Sequence, residues 1–401
     1  MHDPLIPLLG SAIPAHALLG IGVALLFVSF IRDAKTHSAV TWSSGRWGMF
    51  AIAPLVATGA TYAFFDRGAL NVKFQFLSTF ILIPLIWYAL SIVSRLDTAR
   101  RQLDHLLLIY VATELFIMLL QASYFIAGIG LAPGDTYEFM IPGSQFNLNN
   151  LAAIVVTLSI FYNATQANRP KWHRTSFNSI VLLILLVTFS RLAILLYVAD
   201  RLRKVNARDS KALLIVSTVL AGAALAFSAI DYTGNETIDA SLYKAKSLAE
   251  IAEVGLTADS STSSRSESYL HFANKLDDLG FGSGEILNYS RFTRDALFSD
   301  EAIYFNPHSL VIEFGYWAGW PGLLSLVIFL VMLYGRSKQG SWATRIFILA
   351  AVLVISSIPS SAIPLVPLWL GLILLAMLGE FHTSPAQKTS WAPISKVAHD
   401  H

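Results

Sequence analysis

Three residues stand out as able to do chemistry. Arg191 interrupts an apolar run between Val187-Thr188-Phe189 and Leu192-Ala193-Ile194, Arg265 sits in a long polar segment, and His308 follows Asn306-Pro307. A guanidinium at the centre of a membrane helix costs about 2.5 to 3.5 kcal/mol on insertion scales, so Arg191 is a functional candidate by default. The plainer account is an arginine snorkelling to the headgroups. Arg265 opens an expected helix, where the positive end of the dipole favours a nearby anion; an ordinary solvated arginine is the alternative. His308 falls in the expected first turn of a helix with Asn306 as N-cap and Pro307 at its first position. The dipole there disfavours imidazolium, and a neutral imidazole is what a general base needs. Two arginines and one histidine suit binding of an anion and general-base chemistry.

Other groups read as structural. Glu313 lies five residues beyond His308, which at ~100° per residue puts it on another helix face and makes it a doubtful orienting partner. Tyr316, Trp317 and Trp320 before Pro321-Gly322 read as an interfacial aromatic belt on a helix that then turns into a span. Gly280-Phe281-Gly282-Ser283-Gly284 has amides that suit phosphate, but it follows no strand and reads as a turn. Asp277 and Asp278 have no third ligand nearby, so neither a metal nor a cofactor is expected.

These residues need a scaffold, and composition says what kind. With 55% hydrophobic and 13% charged residues in 401, the chain is too apolar for a soluble protein and reads as all-α, a polytopic helical membrane bundle. The absence of cysteine excludes thiol nucleophiles and disulfides. The net charge of +2 says nothing about partners by itself, because in a membrane protein the placement of Lys and Arg matters; membrane lipids are the expected surroundings and no nucleic acid is expected as a partner. The start, Met1-His2-Asp3, has no basic n-region and its apolar run continues to Phe30, which argues against a cleaved signal peptide.

Apolar segments fall at Pro4 to Phe30, Trp47 to Phe65, Phe74 to Val93, Leu106 to Leu131, Leu151 to Ala167, Ser176 to Val198, Leu213 to Ile230, Pro321 to Tyr334, Ile346 to Ile358 and Ile363 to Leu378. Basic clusters mark the cytoplasmic connections. Ser176 to Val198 has basic clusters at both ends, so one crossing would misplace one of them. It is therefore predicted to fold back as two short helices, Phe177 to Phe189 and Leu192 to Val198 onward, turning near Ser190-Arg191. The count is then about 11–12 transmembrane helices, the higher number if Pro14 breaks the first segment.

The expected organisation is an N-terminal transmembrane bundle over 1–230, a large periplasmic loop over 231–308, C-terminal transmembrane helices over 309–380 and a cytoplasmic tail over 381–401. Two amphipathic loop helices are predicted, Ile238 to Val254 and Ser266 to Leu279, each ending at glycine.

Ser190-Arg191 closing a short apolar run, Arg265 ahead of Gly282-Ser283-Gly284, Asn306-Pro307-His308-Ser309 followed by Glu313, Gly315, Gly319 and Gly322, and Phe146-Asn147-Leu148-Asn149-Asn150 resemble the O-antigen ligase and O-antigen polymerase superfamily. The resemblance implies a GT-C-like, metal-independent, inverting glycosyltransferase of the bacterial inner membrane. Its active site would face the periplasm, its donor would be an undecaprenyl-diphosphate-linked glycan and its acceptor lipid A-core. Arg191 and Arg265 match the family's essential arginines and His308 its essential histidine, with Asn149, Asn150 and Asn306 as further substrate-binding positions. Where many members have His-Asn this chain has His308-Ser309. The length looks more like a ligase than a protein O-oligosaccharyltransferase. A polymerase of the same superfamily and a transporter built on the broken helix remain alternatives.

Overall fold

The structure, a computed structural model, describes residues 42–66, 70–94, 97–126, 143–145, 147–165, 169–188, 190–203, 260–286, 292, 308–336, 342–359 and 361–382. The segments predicted at 4–30, 213–230 and 238–254, the positions Asn306 and Pro307 and the tail from 383 lie outside them.

The described residues are all-helical, without a strand. We number the helices α1 (Trp42–Phe65), α2 (Leu70–Val93), α3 (Asp97–Ile126), α4 (Leu148–Ala164), α5 (Lys171–Thr188), α6 (Arg191–Leu202), α7 (Ser260–Asn274), α8 (Leu310–Arg336), α9 (Trp342–Ile355), α10 (Val366–Ala376) and α11 (Leu378–His382). Four of them contain stretches long and apolar enough to cross a bilayer, namely Gly48–Phe65, Val72–Val93, Ala99–Ser123 and Leu310–Leu333. Three shorter helices, α4, α9 and α10, are also apolar.

Helix α4 is the hub, packed by α5, α6 and α10. Its residues from Leu151 to Asn163 are all buried, as expected of a helix that is apolar on every side. Small residues let other neighbours close in: a β-carbon on Gly48 or Gly59 of α1 would lie inside the rings of Trp87 and Phe80 of α2. Outward faces carry Phe50, Phe64, Phe74, Phe116, Leu324, Val327 and Val331, all exposed. In water such a surface would be costly; in hydrocarbon it is the expected one.

The predicted break in Ser176 to Val198 is present. Helix α5 stops at Thr188 and α6 starts at Arg191. The second helix doubles back along the first, since the Tyr197 hydroxyl donates to the Asn178 carbonyl at 3.3 Å and Arg201 donates to the Asn178 side chain. Ser190 and Arg191 are therefore the tip of a helical hairpin.

One end of the bundle gathers the basic residues. Arg169 forks onto Asp104, its Nε 2.6 Å from Oδ2, and stacks 3.8 Å over the Tyr162 ring. Arg100 donates to the carbonyls of Ser94 and Glu380, and Arg203 pairs with Asp200 at 2.9 Å and lies over Phe347. This end closes the α2–α3, α4–α5 and α8–α9 connections, as the alternation of charge in the sequence requires.

Candidate functional site

The opposite end gathers the candidates. Tyr162 near the end of α4 stacks on Phe177 near the start of α5, so those helices run antiparallel and the Ser190-Arg191 tip returns to the level where α4 begins. Asn149 and Asn150 sit there in the first turn of α4, half-buried. Asn147 caps that helix, its side-chain oxygen accepting from the Asn149 amide at 2.8 Å. Helix α9 leaves the basic end beside Arg203 and finishes at Ile355, and the carbonyl of the next residue, Ser356, accepts from the Leu310 amide at 2.9 Å. That bond fixes the start of α8, and with it His308, at the same end of the bundle as Arg191.

The start of α8 differs from the predicted one. The helix begins at Leu310, with Ser309 ahead of it and its Oγ 3.5 Å from the Ile312 amide. His308 is not in the first turn but in a bend two residues earlier, at φ 44°. The left-handed region is open to histidine more readily than to branched residues. The tie to Ser356 sets where the helix can begin, a contact no local cap signal carries.

Arg191 is the first residue of α6, half-buried, so its charge adds to the positive end of that helix's dipole. Arg265 is the sixth residue of α7, not its opening residue, because the helix starts at Ser260 and not Ser266. The serine-rich stretch before it favours caps and turns on propensity alone, yet here continues the helix. Helix α7 ends at Asn274, and the predicted stop at Gly280 follows a 3-10 turn, Leu276–Asp278.

Beyond α7 the chain is fastened to the bundle. Tyr62 donates to the Phe281 carbonyl at 2.8 Å, the Asp66 carboxylate takes the Ile286 amide, the Tyr269 and Ser357 hydroxyls meet at 2.6 Å, and His271 Nδ1 shares a hydrogen bond with the Tyr316 hydroxyl at 2.8 Å. The glycine-rich turn lies against a kink in α8 at Gly319, where φ is 60° and ψ −147°. Ser283 and Gly284 donate their amides to the carbonyls of Tyr316 and Trp317, and Trp320 donates to Gly280. Those amides hold the kink open and are not presented to a phosphate.

The aromatic belt is corrected in part. Trp320 is 50% exposed, but Tyr316 and Trp317 are fully buried. Trp317 packs with Phe76, Phe80, Tyr62 and Phe314, and Tyr316 stacks on Phe292. The kink turns this segment inward, so rings at interfacial spacing become core.

Two buried carboxylates of this end, Glu313 and Glu114, are structural. Glu313 is buried and accepts from the Ser361 hydroxyl and the amides of Ala362 and Ile363 at 2.9 and 3.3 Å. It holds the chain that leads into α10 and does not orient His308. Glu114, buried in α3, accepts from the Ser144 amide at 2.9 Å and its hydroxyl, while Gln121 exchanges two hydrogen bonds with Gly143. Together they pin the turn that delivers Asn147 to Asn150. Both residues went unremarked in the sequence, although a carboxylate inside an apolar run was signal enough. Among the described residues no group of three or more acidic or histidine side chains is arranged for a metal ion.

The end of the bundle thus combines a guanidinium at a helix N-terminus, an imidazole beside a second helix start, and amide side chains in the first turn of a third. Such a set can bind an anionic group and move a proton. Compared with protein-family models and with curated protein sequences, the chain matches none.

Proposed function

We propose that the chain is a bacterial inner-membrane glycosyltransferase of the O-antigen ligase type, acting on its periplasmic face. The observation that carries this reading is the hairpin tip at Ser190-Arg191, level with Asn149 and Asn150 and at the same end as His308. A lipid-linked donor needs cations at the membrane surface for its diphosphate and a base for the acceptor hydroxyl, and these are the groups present.

In the proposed reaction Arg191 and Arg265 bind the diphosphate of an undecaprenyl-diphosphate-linked glycan, by bidentate contacts that strengthen where water is scarce. His308 takes the proton of an acceptor hydroxyl on lipid A-core. That oxygen attacks the anomeric carbon from the face opposite the diphosphate, the new glycosidic bond forms, and the carbon–oxygen bond to the diphosphate breaks. Undecaprenyl diphosphate leaves with the bonding electrons, and the anomeric configuration inverts. Asn149, Asn150 and Asn306 are assigned to substrate binding, and no metal or cofactor takes part.

The test is transfer by the purified full-length chain, given donor with either lipid A-core or more donor, in the presence of EDTA. Glycan on lipid A-core is expected. Elongation of the donor alone would instead make the chain a polymerase of the same superfamily. No transfer under either condition, with substrate moved across vesicles, would favour a transporter. Loss of activity in EDTA restored by a divalent cation would overturn the metal-free mechanism.

A further inference from the structure

At the end of the bundle away from the candidate site, an open cleft of about 270 Å³ lies between α5 and α6, lined by Arg174, Thr175, Asn178, Ser179, Leu182 and Tyr197. Five of these come from α5 at positions i, i+1, i+4, i+5 and i+8, a single helix face. The sixth, Tyr197, closes the cleft from α6 through its bond to Asn178. Arg201 adds a second guanidinium at the wall, bonded to the Asn178 side chain and 5.0 Å from the Tyr197 ring centre, with its Nε buried and unpartnered.

The lining is ordered along the helix axis. Arg174 and Thr175 are at the mouth and exposed, Asn178 and Ser179 lie one turn further in, and Leu182 a turn beyond. Cation, then neutral hydrogen-bonding groups, then hydrocarbon is the order of the parts of a phospholipid: phosphate, ester region, acyl chain. Among the described residues no carboxylate lines the cleft, and nearby Asp200 is buried against Arg203. Trp172 and Leu183 of α5, outside the lining, are both exposed, as residues at the headgroup boundary and in the hydrocarbon would be. Basic clefts between membrane helices on the side rich in lysine and arginine are suited to anionic headgroups.

We propose that this cleft is a binding site for an anionic phospholipid of the leaflet at the basic end, with the phosphate at Arg174 and Arg201 and an acyl chain along Leu182. The site is separate from the transfer chemistry and does not depend on it.

The test uses the full-length chain in nanodiscs of phosphatidylcholine with a fraction of phosphatidylglycerol, followed by release and native mass spectrometry of the lipid that stays bound. Phosphatidylglycerol should be retained over phosphatidylcholine, and Arg174→Gln should lower that preference about fivefold, the effect of one basic residue at a membrane surface. Arg101→Gln, an exposed arginine of the same end outside the cleft, should leave it unchanged. Ser179→Phe, at an exposed position, should lower retention by filling the cleft without altering charge, which keeps the test usable if Arg174→Gln folds poorly. Equal retention in wild type and Ser179→Phe, or an equal loss in Arg101→Gln, would overturn the proposal. Displacement of the lipid by millimolar inorganic phosphate would assign the cleft to a soluble anion and overturn it too.

Discussion

Gly319 and Gly282 meet backbone to backbone: a β-carbon on Gly319 would lie 2.4 Å from the Gly282 amide nitrogen, and one on Gly282 would lie 2.4 Å from the Trp317 carbonyl oxygen. The kink of α8 and the glycine-rich turn after α7 are therefore one joint, which holds the loop segment over the end of the bundle where Arg191 and His308 lie.

Alanine at either glycine should break that joint. Both have positive φ, so each substitution adds a left-handed backbone penalty to a clash with main-chain atoms that cannot swing aside, together on the order of 2 to 5 kcal/mol. Gly284 also has positive φ but open space around its missing side chain, so Gly284→Ala should cost only about 1 to 2 kcal/mol. Thermal unfolding in detergent with limited proteolysis of 260–286 reads the difference. Equal losses for Gly319→Ala and Gly284→Ala would remove the close-contact explanation.

Glu313→Gln should destabilise the chain although it is nearly isosteric. The carboxylate accepts three hydrogen bonds, whereas an amide has one oxygen and must point its NH2 at other donors. The loss should be about 1 to 3 kcal/mol, measured as a lower melting temperature. A variant as stable as the wild type would mean that the 361–363 segment is held by other contacts.

On the proposed mechanism, His308→Ala should abolish transfer while leaving melting behaviour intact. Arg191→Lys should separate charge from geometry. Lysine keeps the cation but loses the planar fork, so transfer should fall roughly tenfold and further in Arg191→Ala. Full activity in His308→Ala would end its assignment as the base, and equal rates for lysine and arginine at 191 would end the bidentate one.

At the basic end, His173 is buried, with its Nδ1 2.6 Å from the Tyr162 hydroxyl and its Nε2 3.3 Å from His105. Burial and then the neighbouring His105 hold its pKa below the usual imidazole range; Arg169 adds to this and Asp104 opposes it. The neutral form is favoured in the fold, so this contribution to stability is complete above the unfolded value of about 6.5 and is lost as pH falls through the lower folded value. The melting temperature of wild type should therefore drop more between pH 7.5 and 5.5 than that of His173→Gln. Parallel curves would show that His173 does not carry the dependence.

The sequence by itself determined that the described residues are helical, where most of their apolar helices lie, though α3 and α8 start about ten residues before the apolar runs at Leu106 and Pro321, and that Ser176 to Val198 breaks at Ser190-Arg191. Each follows from information local to the segment: a run of apolar side chains, or a charge parity that a single crossing cannot satisfy. The turn at Gly280 to Gly284 was legible for the same reason. Only the tertiary structure decided that α8 starts at Leu310, that Tyr316 and Trp317 are core, that Glu313 serves the 361–363 segment, and that Asn149, Asn150, Arg191 and His308 share one end of the bundle. Those facts depend on partners tens to hundreds of residues away, such as Ser356 for Leu310 or Gly282 for Gly319, and no spacing within a helix encodes which distant backbone will dock against it.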